Sequence, residues 1–411
     1  MNEWKEVRLG EVVQINPESL TKDYPFNVID YIDISSVGTG ELRETTQYPI
    51  SEAPSRAKRL VRAGDTILST VRPNRRSFLY LKKPKENQVV STGFAVLRAT
   101  EKINSRYLYY LISDQKFTDY LVSQEQGAAY PAVSIDSIKN AIVLLPDLET
   151  QEKIASILGS IDDKIELNVE MNKTLEEMAM TLYKHWFVDF GPFQDGEFVE
   201  SELGMIPEGW ECIEIGEAVS VLGGGTPKTS VKEYWENGDI NWFSPTDLTT
   251  QKSLFISKSS KKITKLGLEK SSAKLFPPYC VMMTSRATIG EISINREEAC
   301  TNQGFITLIP NETFTMYQLY FWLKTNMDLI LSIANGSTFK EVSKTNFKKL
   351  KILKPKNIEE FTQKCEKLFK LIESNLIEIE ELTNIKDYLL PRLLSGEIDV
   401  SQAEKQVEEV L

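Results

Sequence analysis

The chain has one histidine, four cysteines and no long apolar run, and each shortage excludes a class of function. A single histidine, His185, rules out a histidine-pair metal site and a Ser-His-Asp arrangement with a choice of bases. The scattered cysteines form no CxxC pair, which argues against both a zinc site and a disulfide framework. No apolar run approaches the roughly 20 residues of a membrane span, and the N-terminus, Met1-Asn-Glu-Trp-Lys-Glu-Val-Arg, is too charged for a signal peptide. We therefore expect a cytoplasmic chain without a membrane partner.

Negative charge is abundant overall but unevenly distributed along the 411 residues, whose net charge is −11. Residues 147–200 carry 4 basic and 13 acidic side chains, and residues 357–411 carry 6 and 13. The rest is mildly basic, with 19 against 17 in residues 1–146 and 19 against 16 in residues 201–356. The net charge therefore does not exclude a nucleic-acid partner, because the acidity is confined to two segments.

Basic residues cluster at matching places in the two mildly basic parts. The segment from Arg56 to Lys85 contains ten Lys and Arg and one acidic residue. The segment from Lys252 to Lys274 contains seven lysines and one acidic residue. A charge run is usually a solvated face, but two runs at equivalent places favour a shared polyanionic partner.

Two stretches have the spacing of long amphipathic helices, in which seam residues recur at alternating steps of four and three. The residues expected to pair are Ile161, Ile165, Asn168, Asn172 and Leu175 in the first stretch, and Leu368, Ile372, Asn375, Ile379 and Leu382 in the second. Asparagines interrupt both seams, and a buried asparagine costs stability while penalising slipped registers. The pattern predicts two helices of one chain that pair in a single defined way.

The sequence is also repeated at a spacing of about 210 residues, which is the signature of duplicated architecture. The matching segments are Trp4–Val13 with Trp210–Val219, Leu60–Arg72 with Leu275–Arg286, Ser91–Phe94 with Asn302–Phe305, Gly127–Tyr130 with Gly336–Phe339, and Val133–Ser134 with Val342–Ser343. Each half mixes short β-rich runs with helical patterns, at Ser105–Val122 in the first and Met316–Ile333 in the second. Each half then ends in a short apolar strand, a proline and a long helix.

These patterns predict an α+β fold in which two mixed α/β domains are joined by two long antiparallel helices with pseudo-twofold symmetry. The predicted boundaries are 1–146 and 209–356 for the domains, 147–190 and 357–395 for the helices, 191–208 for the linker and 396–411 for the tail. Duplex DNA has local twofold symmetry, so two similar modules on a rod suit two half-sites. A helix of about 36 residues is roughly 54 Å long, the scale needed for a ruler across about one and a half turns of B-DNA.

The candidate DNA contacts lie in the two basic clusters and in a glycine-rich stretch. They are Arg56, Lys58, Arg59, Arg62, Arg72, Asn74, Arg75 and Arg76 in the first half, and Thr226, Lys228, Lys258, Lys261, Lys262, Lys265, Lys274, Ser285, Arg286 and Thr288 in the second. Lysines suit phosphates, because they act as mobile point charges that release counterions. Arg72, Asn74, Arg75 and Arg286, placed on turns after strands, suit bidentate contacts to base edges. The acidic helices should repel phosphate and contact protein instead.

Three groups of residues together resemble the specificity subunit of type I restriction-modification systems over essentially the whole chain. They are Val133–Lys139 with Leu144–Leu158 and Asp162–Ile165, Gly223-Gly-Gly-Thr-Pro227 with Glu233–Trp235 and Trp242–Leu248, and Leu389–Ile398. The resemblance implies two target-recognition domains reading one split DNA site, with double-stranded DNA, two methyltransferase subunits and restriction subunits as partners. It also places S-adenosylmethionine in the methyltransferase, with no cofactor in this chain. The first half lacks the Gly-Gly-Gly-Thr-Pro loop and matches the family pattern less closely.

Other interpretations stay open at the level of sequence. Phe276-Pro-Pro-Tyr279 resembles an amino-methyltransferase motif but has Phe where that motif needs Asp or Asn. Asp147 with Asp162-Asp-Lys164 imitates a metal-dependent nuclease set, although it lies on a predicted helix. The chain could instead serve a related system whose methyltransferase and nuclease are one polypeptide, or be a coiled-coil scaffold whose domains bind protein. Methyl transfer by the purified chain alone would revive an enzymatic role.

Overall fold

The computed structural model describes residues 4–127, 131–336 and 340–408, and divides into two compact units. The first unit comprises residues 1–167 and 378–411, and the second comprises residues 168–377. The sequence correspondence between Gly127–Tyr130 and Gly336–Phe339 falls, apart from its two glycines, outside the described residues. No helix in the described ranges is both long and apolar enough to cross a bilayer.

The first unit is mixed, as the sequence predicts, and its strands fall where the β-rich runs lie. Its strands are β1 (Lys5–Arg8), β2 (Val13–Ile15), β3 (Val28–Ile32), β4 (Thr46–Pro49), β5 (Ala57–Leu60), β6 (Thr66–Ser69), β7 (Phe78–Tyr80), β8 (Gln88–Ser91), β9 (Phe94–Ala99) and β10 (Ile142–Leu145). Its helices are α1 (Ser105–Ser113), α2 (Gln115–Ser123), α3 (Ile135–Lys139) and the beginning of the first long helix, α4 (Leu148–Phe187).

Three sheets organise the first unit. An antiparallel sheet has the order β2-β9-β6-β7, and a second sheet, β4-β3-β8-β5, contains the parallel pair β3 and β8. The strands β1 and β10 pair at the base of the unit, directly before α4. The predicted helix over 105–122 is broken in two, because Asp114 takes an extended conformation and its carboxylate accepts the Lys116 N–H as the cap of α2.

The second unit is built from the same kinds of element. Its strands are β11 (Phe198–Ser201), β12 (Gly204–Pro207), β13 (Glu211–Glu214), β14 (Ser220–Gly223), β15 (Ile240–Phe243), β16 (Phe255–Ile256), β17 (Lys261–Ile263), β18 (Val281–Thr284), β19 (Ile292–Asn295), β20 (Ala299–Thr301), β21 (Phe305–Ile309) and β22 (Lys351–Lys354). Its helices are α5 (Ile215–Ala218), α6 (Pro245–Gln251), α7 (Lys265–Glu269), α8 (Met316–Thr325), α9 (Met327–Ser332), α10 (Lys344–Lys348) and most of the second long helix, α11 (Glu359–Ser395). A final helix, α12 (Val400–Glu408), belongs to the first unit.

The sheet topology of the second unit repeats that of the first. The order β14-β21-β18-β19 corresponds to β2-β9-β6-β7, and β16 extends this sheet by one strand. The parallel pair β15 and β20 corresponds to β3 and β8, while β13 with β22 corresponds to β1 with β10. The internal repeat predicted from the sequence is therefore confirmed at the level of topology. Residues 191–208, predicted as a linker, contain the β11–β12 hairpin.

One detail of the predicted repeat is wrong by one residue. The sequence alignment matches Arg72 with Arg286, but the backbone hydrogen bonds match Thr70 with Ser285, since these carbonyls accept the Val133 and Val342 N–H groups. Arg286 is therefore equivalent to Val71. The backbone of Arg286 forms an isolated antiparallel β-bridge with Glu341, as the backbone of Val71 does with Ala132. The alignment fails after the strand and not before it: β6 and β18 begin at the same distance from Leu60 and Leu275, but Arg72 lies three residues beyond the end of β6 and Arg286 only two beyond the end of β18.

The two long helices pack antiparallel, as is visible within the second unit. Asn375 donates from Nδ2 to the Asn172 Oδ1 at 2.9 Å. The Phe361 ring lies 6.1 Å from that of Trp186, and this second pair is fourteen residues later on α4 and fourteen residues earlier on α11. Within the first unit, Lys386 donates to Asp162 at 2.8 Å. The first long helix spans Leu148–Phe187, within the predicted 147–190. The second spans Glu359–Ser395, starting two residues after the predicted 357 and ending at the predicted 395.

The predicted seam is buried only in part, because each helix also enters the core of a globular unit. Ile161, Asn168, Ile372 and Leu382 are buried, whereas Ile165, Asn172, Leu175, Leu368, Asn375 and Ile379 are half-buried. Phe369, next to the predicted Leu368, is 1% exposed and packs among the rings of the second unit. The residue facing the domain core is thus adjacent to the one facing the partner helix.

Candidate nucleic-acid interface

The first candidate reading element is a tight turn after β6. Pro73–Arg75 forms one turn of 3-10 helix, flanked by Arg72 and Arg76 in the left-handed region with φ of 49° and 51°. Asn74 and Arg75 are exposed at its tip, and Arg72 is half-buried. The left-handed conformation is energetically unfavourable for a non-glycine residue, so two such residues indicate that the surrounding contacts fix the conformation of the turn. The turn therefore presents an amide and a guanidinium on a rigid support.

Arg76 faces inward, in contrast to its neighbours. Its Nη1 donates to the Gln115 Oε1 at 2.6 Å, its Nη2 donates to the Ser113 carbonyl, and its guanidinium lies 5.8 Å from the Phe78 ring. These contacts fasten the turn to the junction of α1 and α2. Sequence reasoning placed Arg76 with the DNA contacts, whereas its hydrogen bonds indicate that it positions Asn74 and Arg75.

The other predicted DNA contacts of the first half lie on or beside β5, the strand that precedes β6 in the chain. Lys58 and Arg59 are part of β5, at the edge of its sheet, and Arg56 directly precedes it. Arg56 and Lys58 are exposed, and the Arg59 Nη1 lies 3.4 Å from the Ser19 Oγ. Arg62 pairs with Glu18 at 2.5 Å. Basic side chains on an edge also oppose pairing with a further strand.

The equivalent turn in the second unit follows β18. Arg286 and Thr288 are exposed, and Ala287 between them has a left-handed φ of 62°, as Arg72 has in the first unit. Arg286 lies 3.5 Å from the Glu341 carboxylate, with 55% of its side chain exposed. Ser285 is only 2% exposed, and its N–H donates to the Gly304 carbonyl. The strand end buries Ser285, in contrast to Arg286 and Thr288, and its contact with DNA stays a prediction.

The lysines of the second cluster surround β17 and are solvent-exposed. The predicted contacts Lys258, Lys261, Lys262, Lys265 and Lys274 are all exposed, as is Lys228 from the glycine-rich loop. Lys261 and Lys262 lie on β17, an edge strand, and Lys265 opens α7. Thr226 is half-buried and donates to the Gln303 Oε1 at 2.6 Å. Exposed ammonium groups on a single surface element suit the sugar-phosphate backbone of a nucleic acid.

Charged residues at the start of the first long helix hold the first unit onto it. Asp163 accepts from Arg106 and from Lys82, both at 2.7 Å, and Asp162 accepts from the Tyr110 hydroxyl at 2.8 Å. The hydrogen bond from Arg106, with help from Lys82, lowers the pKa of Asp163 to about 2. Of the residues that imitate a nuclease set, Asp162, Asp163 and Lys164 are therefore occupied in ion pairs on a helix. Asp147 precedes that helix and accepts hydrogen bonds from Thr150.

We expect Asp163→Asn to lower the free energy of unfolding at neutral pH by about 1 kcal/mol, since half of the Asp163 side chain is exposed and solvent screens its ion pairs. A lowered folded-state pKa contributes stability above the unfolded value of about 3.9, and this contribution is lost as the pH falls from about 4 to about 2. Urea unfolding at pH 6 and pH 3 tests this: the difference between wild type and variant should shrink at pH 3. Glu152→Gln, an exposed site on the same helix, is the control and should change neither value.

The remaining chemically suggestive residues have structural surroundings. In Phe276-Pro-Pro-Tyr279 the Phe is buried, and the Tyr279 hydroxyl donates to Glu373 at 3.3 Å. Burial raises the pKa of Cys280, Cys300 and Cys365 to about 12, so their thiols are not nucleophiles at neutral pH. Within the described ranges no group of three or more His, Cys, Asp and Glu is arranged to hold a metal ion.

Sequence reasoning gave no role to Trp235, which lies beside Lys261 and is half-buried. Its position could not be read from spacing, because 26 residues separate it from Lys261. The signal that was available was the Glu233-Tyr-Trp235 segment itself, close to the glycine-rich loop.

Comparison with known proteins places these features in a family. A family model described as the type I restriction modification DNA specificity domain matches residues 1–177 and 207–387. The HindI specificity subunit of Haemophilus influenzae is 27% identical over 468 residues, covering 97% of this chain and 100% of the relative. The MjaIX specificity subunit of Methanocaldococcus jannaschii is 28% identical, covering 97% and 89%.

A solved structure is similar in fold. The crystal structure of the type I restriction-modification S subunit from M. genitalium aligns with a TM-score of 0.57 at 14% identity, covering 95% of this chain and 96% of the other. The likeness confirms the predicted α+β architecture with two repeated domains and long helices.

Proposed function

Because this chain belongs to the family of type I restriction-modification DNA specificity subunits and is a DNA sequence-specificity subunit, we propose that its two units each read one half of a bipartite DNA site. The observation that carries the proposal is the repeated turn after the equivalent strand, β6 or β18: each turn contains a left-handed residue, Arg72 or Ala287, and an exposed arginine, Arg75 or Arg286. A rigid turn bearing Arg or Asn suits base edges in the major groove.

We infer that the first unit reads bases through Asn74, Arg75 and Arg72, and the second through Arg286 and Thr288. The lysines on and around β17 contact phosphates, as do Arg56 and Lys58 near β5. Phosphate contacts set the orientation of a protein on the duplex, whereas base contacts set the sequence that is read. The chain itself carries no catalytic group in this proposal and acts in the cytoplasm.

Selection from a random duplex pool tests this function. The full chain, assembled with its methyltransferase partner, is expected to enrich duplexes that carry two short conserved elements around a gap of fixed length. Duplexes made by shuffling the base order of the enriched sequences have the same composition and charge, and they control for binding that depends on charge alone. Enrichment of one continuous element, or none above the control, would contradict two independent reading units.

We further propose that the long helices bind the methyltransferase subunits, two per chain, and that restriction subunits join that complex. S-adenosylmethionine then belongs to the methyltransferase. In the second unit, Met171, Thr174 and Met178 are exposed at steps of three and four on one face of α4, with 42% and 53% of the two methionines accessible. Exposed methionines in a helical stripe favour a helical protein partner over DNA, and neighbouring carboxylates repel phosphate.

Charging this stripe is expected to weaken the complex. Met171→Glu with Met178→Glu should lower retention of the methyltransferase on the tagged chain by tenfold or more, because burying two unpaired carboxylates costs several kcal/mol. Lys173→Glu, on another face of the same helix, is the matched control. Equal retention by all three proteins in quantitative co-purification would show that the partner docks elsewhere.

A further inference from the structure

The second unit contains a cavity of about 280 Å³ whose lining combines positive charge with an aromatic ring. Its walls are Thr229, Trp235, Lys261 and Lys262. Both lysines are exposed, and the Lys261 Nζ lies 6.0 Å from the centre of the half-buried Trp235 ring. No carboxylate lines the cavity in the part of the unit that the structure describes. The cavity therefore offers two ammonium groups beside a flat apolar surface.

The aromatic wall is fixed by contacts behind it. Trp235 meets the buried Trp242 edge to face, with ring centres 5.1 Å apart and planes at 87°. The Trp235 Nε1 donates to the Lys228 carbonyl at 3.2 Å, and the Trp242 Nε1 donates to the Gly225 carbonyl at 2.8 Å. The two indoles thus fasten the glycine-rich loop at its central residue, Gly225, and directly after it, at Lys228.

The loop itself has no room to move toward the sheet. A Cβ on Gly224 would lie 2.0 Å from the Asn302 carbonyl oxygen, and one on Gly225 would lie 2.2 Å from the Ser272 Oγ. The two glycines are required because the loop lies directly against its neighbours. The Gly-Gly-Gly-Thr-Pro stretch therefore supports the Trp235 wall, and its Lys228 adds an exposed cation nearby.

We infer that this cavity holds one sugar-phosphate unit of a DNA strand, with Lys261 and Lys262 on the phosphate and the deoxyribose packed against Trp235. The inference rests on the proposed function and adds a site, called the anchor below, at which Lys261, Lys262 and Trp235 bind the sugar-phosphate backbone of the DNA. Lysine ammonium groups bind phosphate as point charges and carry no base preference. The base faces of a duplex are covered by stacking, so an aromatic side chain beside an intact helix meets the sugar.

The anchor is assigned to the second unit alone. In the first unit, the chain that follows β2, the strand equivalent to β14, carries Glu18, which pairs with Arg62 at 2.5 Å and with Arg98 at 2.8 Å. A carboxylate there repels phosphate and uses up the nearby guanidinium groups.

The salt dependence of binding tests the anchor. Affinity of the full chain, with its methyltransferase partner, is measured on a duplex carrying the selected motif between 50 mM and 300 mM NaCl. Lys261→Gln with Lys262→Gln is expected to lower affinity about tenfold and to reduce the slope of log affinity against log salt by about 1, the value for one phosphate contact, without altering the preferred bases. Trp235→Ala should lower affinity severalfold and leave the slope unchanged.

Two controls separate this inference from the proposed function. Lys349→Gln with Lys367→Gln removes the same charge from exposed sites elsewhere in the second unit and should leave the slope as in wild type. Replacing phosphates one at a time by neutral methylphosphonate should reveal one position in the second half-site whose neutralisation weakens wild type and not the Lys261/Lys262 variant. If every position weakens both proteins equally, or the slope is unchanged, the anchor is wrong while the function stands. If wild type does not prefer the motif over unrelated duplex, both fail.

Discussion

Alanine at both Asn74 and Arg75 is expected to remove base discrimination in one half of the DNA site and to leave the other half intact. Both side chains are exposed at the tip of a turn held by left-handed residues and by the inward-facing Arg76. A bidentate contact to a base edge is worth about 1–3 kcal/mol, so losing two should reduce preference at that half by about 30-fold to 10,000-fold or more. Competition binding with single-base variants of the selected motif measures this at every position.

Arg286→Ala is the matched variant in the second unit, where the equivalent turn carries a single exposed arginine. It should reduce base preference in the other half of the motif by about fivefold to 150-fold, the equivalent of about 1–3 kcal/mol for one contact. The two variants together therefore produce complementary profiles. Loss of discrimination across both halves from either variant alone would contradict independent reading by the two units.

Phe369→Ala is expected to destabilise the second unit by about 3–5 kcal/mol, the usual cost of removing a buried phenyl ring. Phe369 is 1% exposed, and its ring centre lies 4.9 Å from that of Tyr317, 5.8 Å from Phe321 and 6.0 Å from Phe255. The second long helix therefore supplies part of the core of the globular unit. The loss should appear as a lower melting temperature of the second unit and as weaker binding to the second half-site.

Leu371→Ala provides the control on the same helix, two residues away and 52% exposed. It should change the free energy of unfolding by less than about 0.5 kcal/mol, as surface substitutions usually do. Native-state hydrogen exchange distinguishes the two outcomes by location: faster exchange in β14, β18 and β21 is expected for Phe369→Ala only. Equal behaviour of the two variants would mean that the helix pairs with its partner and does not build the domain.

The fold was predictable where local pattern decides structure. Alternating steps of four and three located both long helices to within a few residues, and the run of matching segments revealed the duplication. Helix spacing alone could not decide which partner each face meets. The spacing places Leu368 on the face toward the partner helix, while its neighbour Phe369 fills the domain core. These two faces of the helix are adjacent, so consecutive residues can belong to different ones.

The candidate site was predictable in composition more than in geometry. Exposed Asn74 and Arg75 were identified because a basic turn after a strand is a local feature. The surroundings of Arg76 and Ser285 could not be predicted from local pattern, since the hydrogen bonds that turn one inward and the strand end that buries the other involve distant residues. The ion pair of Lys82 with Asp163 spans 81 positions and has no local signal.

Single-molecule methylome sequencing of cells with and without this chain, in the presence of its methyltransferase partner, tests the central claim most directly. Loss of methylation at one split motif, two short elements around a fixed unspecified gap, is the predicted result. Restoring the chain with Asn74→Ala and Arg75→Ala should then return methylation at sites that keep only one of the two elements. An identical methylome with and without the chain would contradict its role as the subunit that selects the DNA sequence.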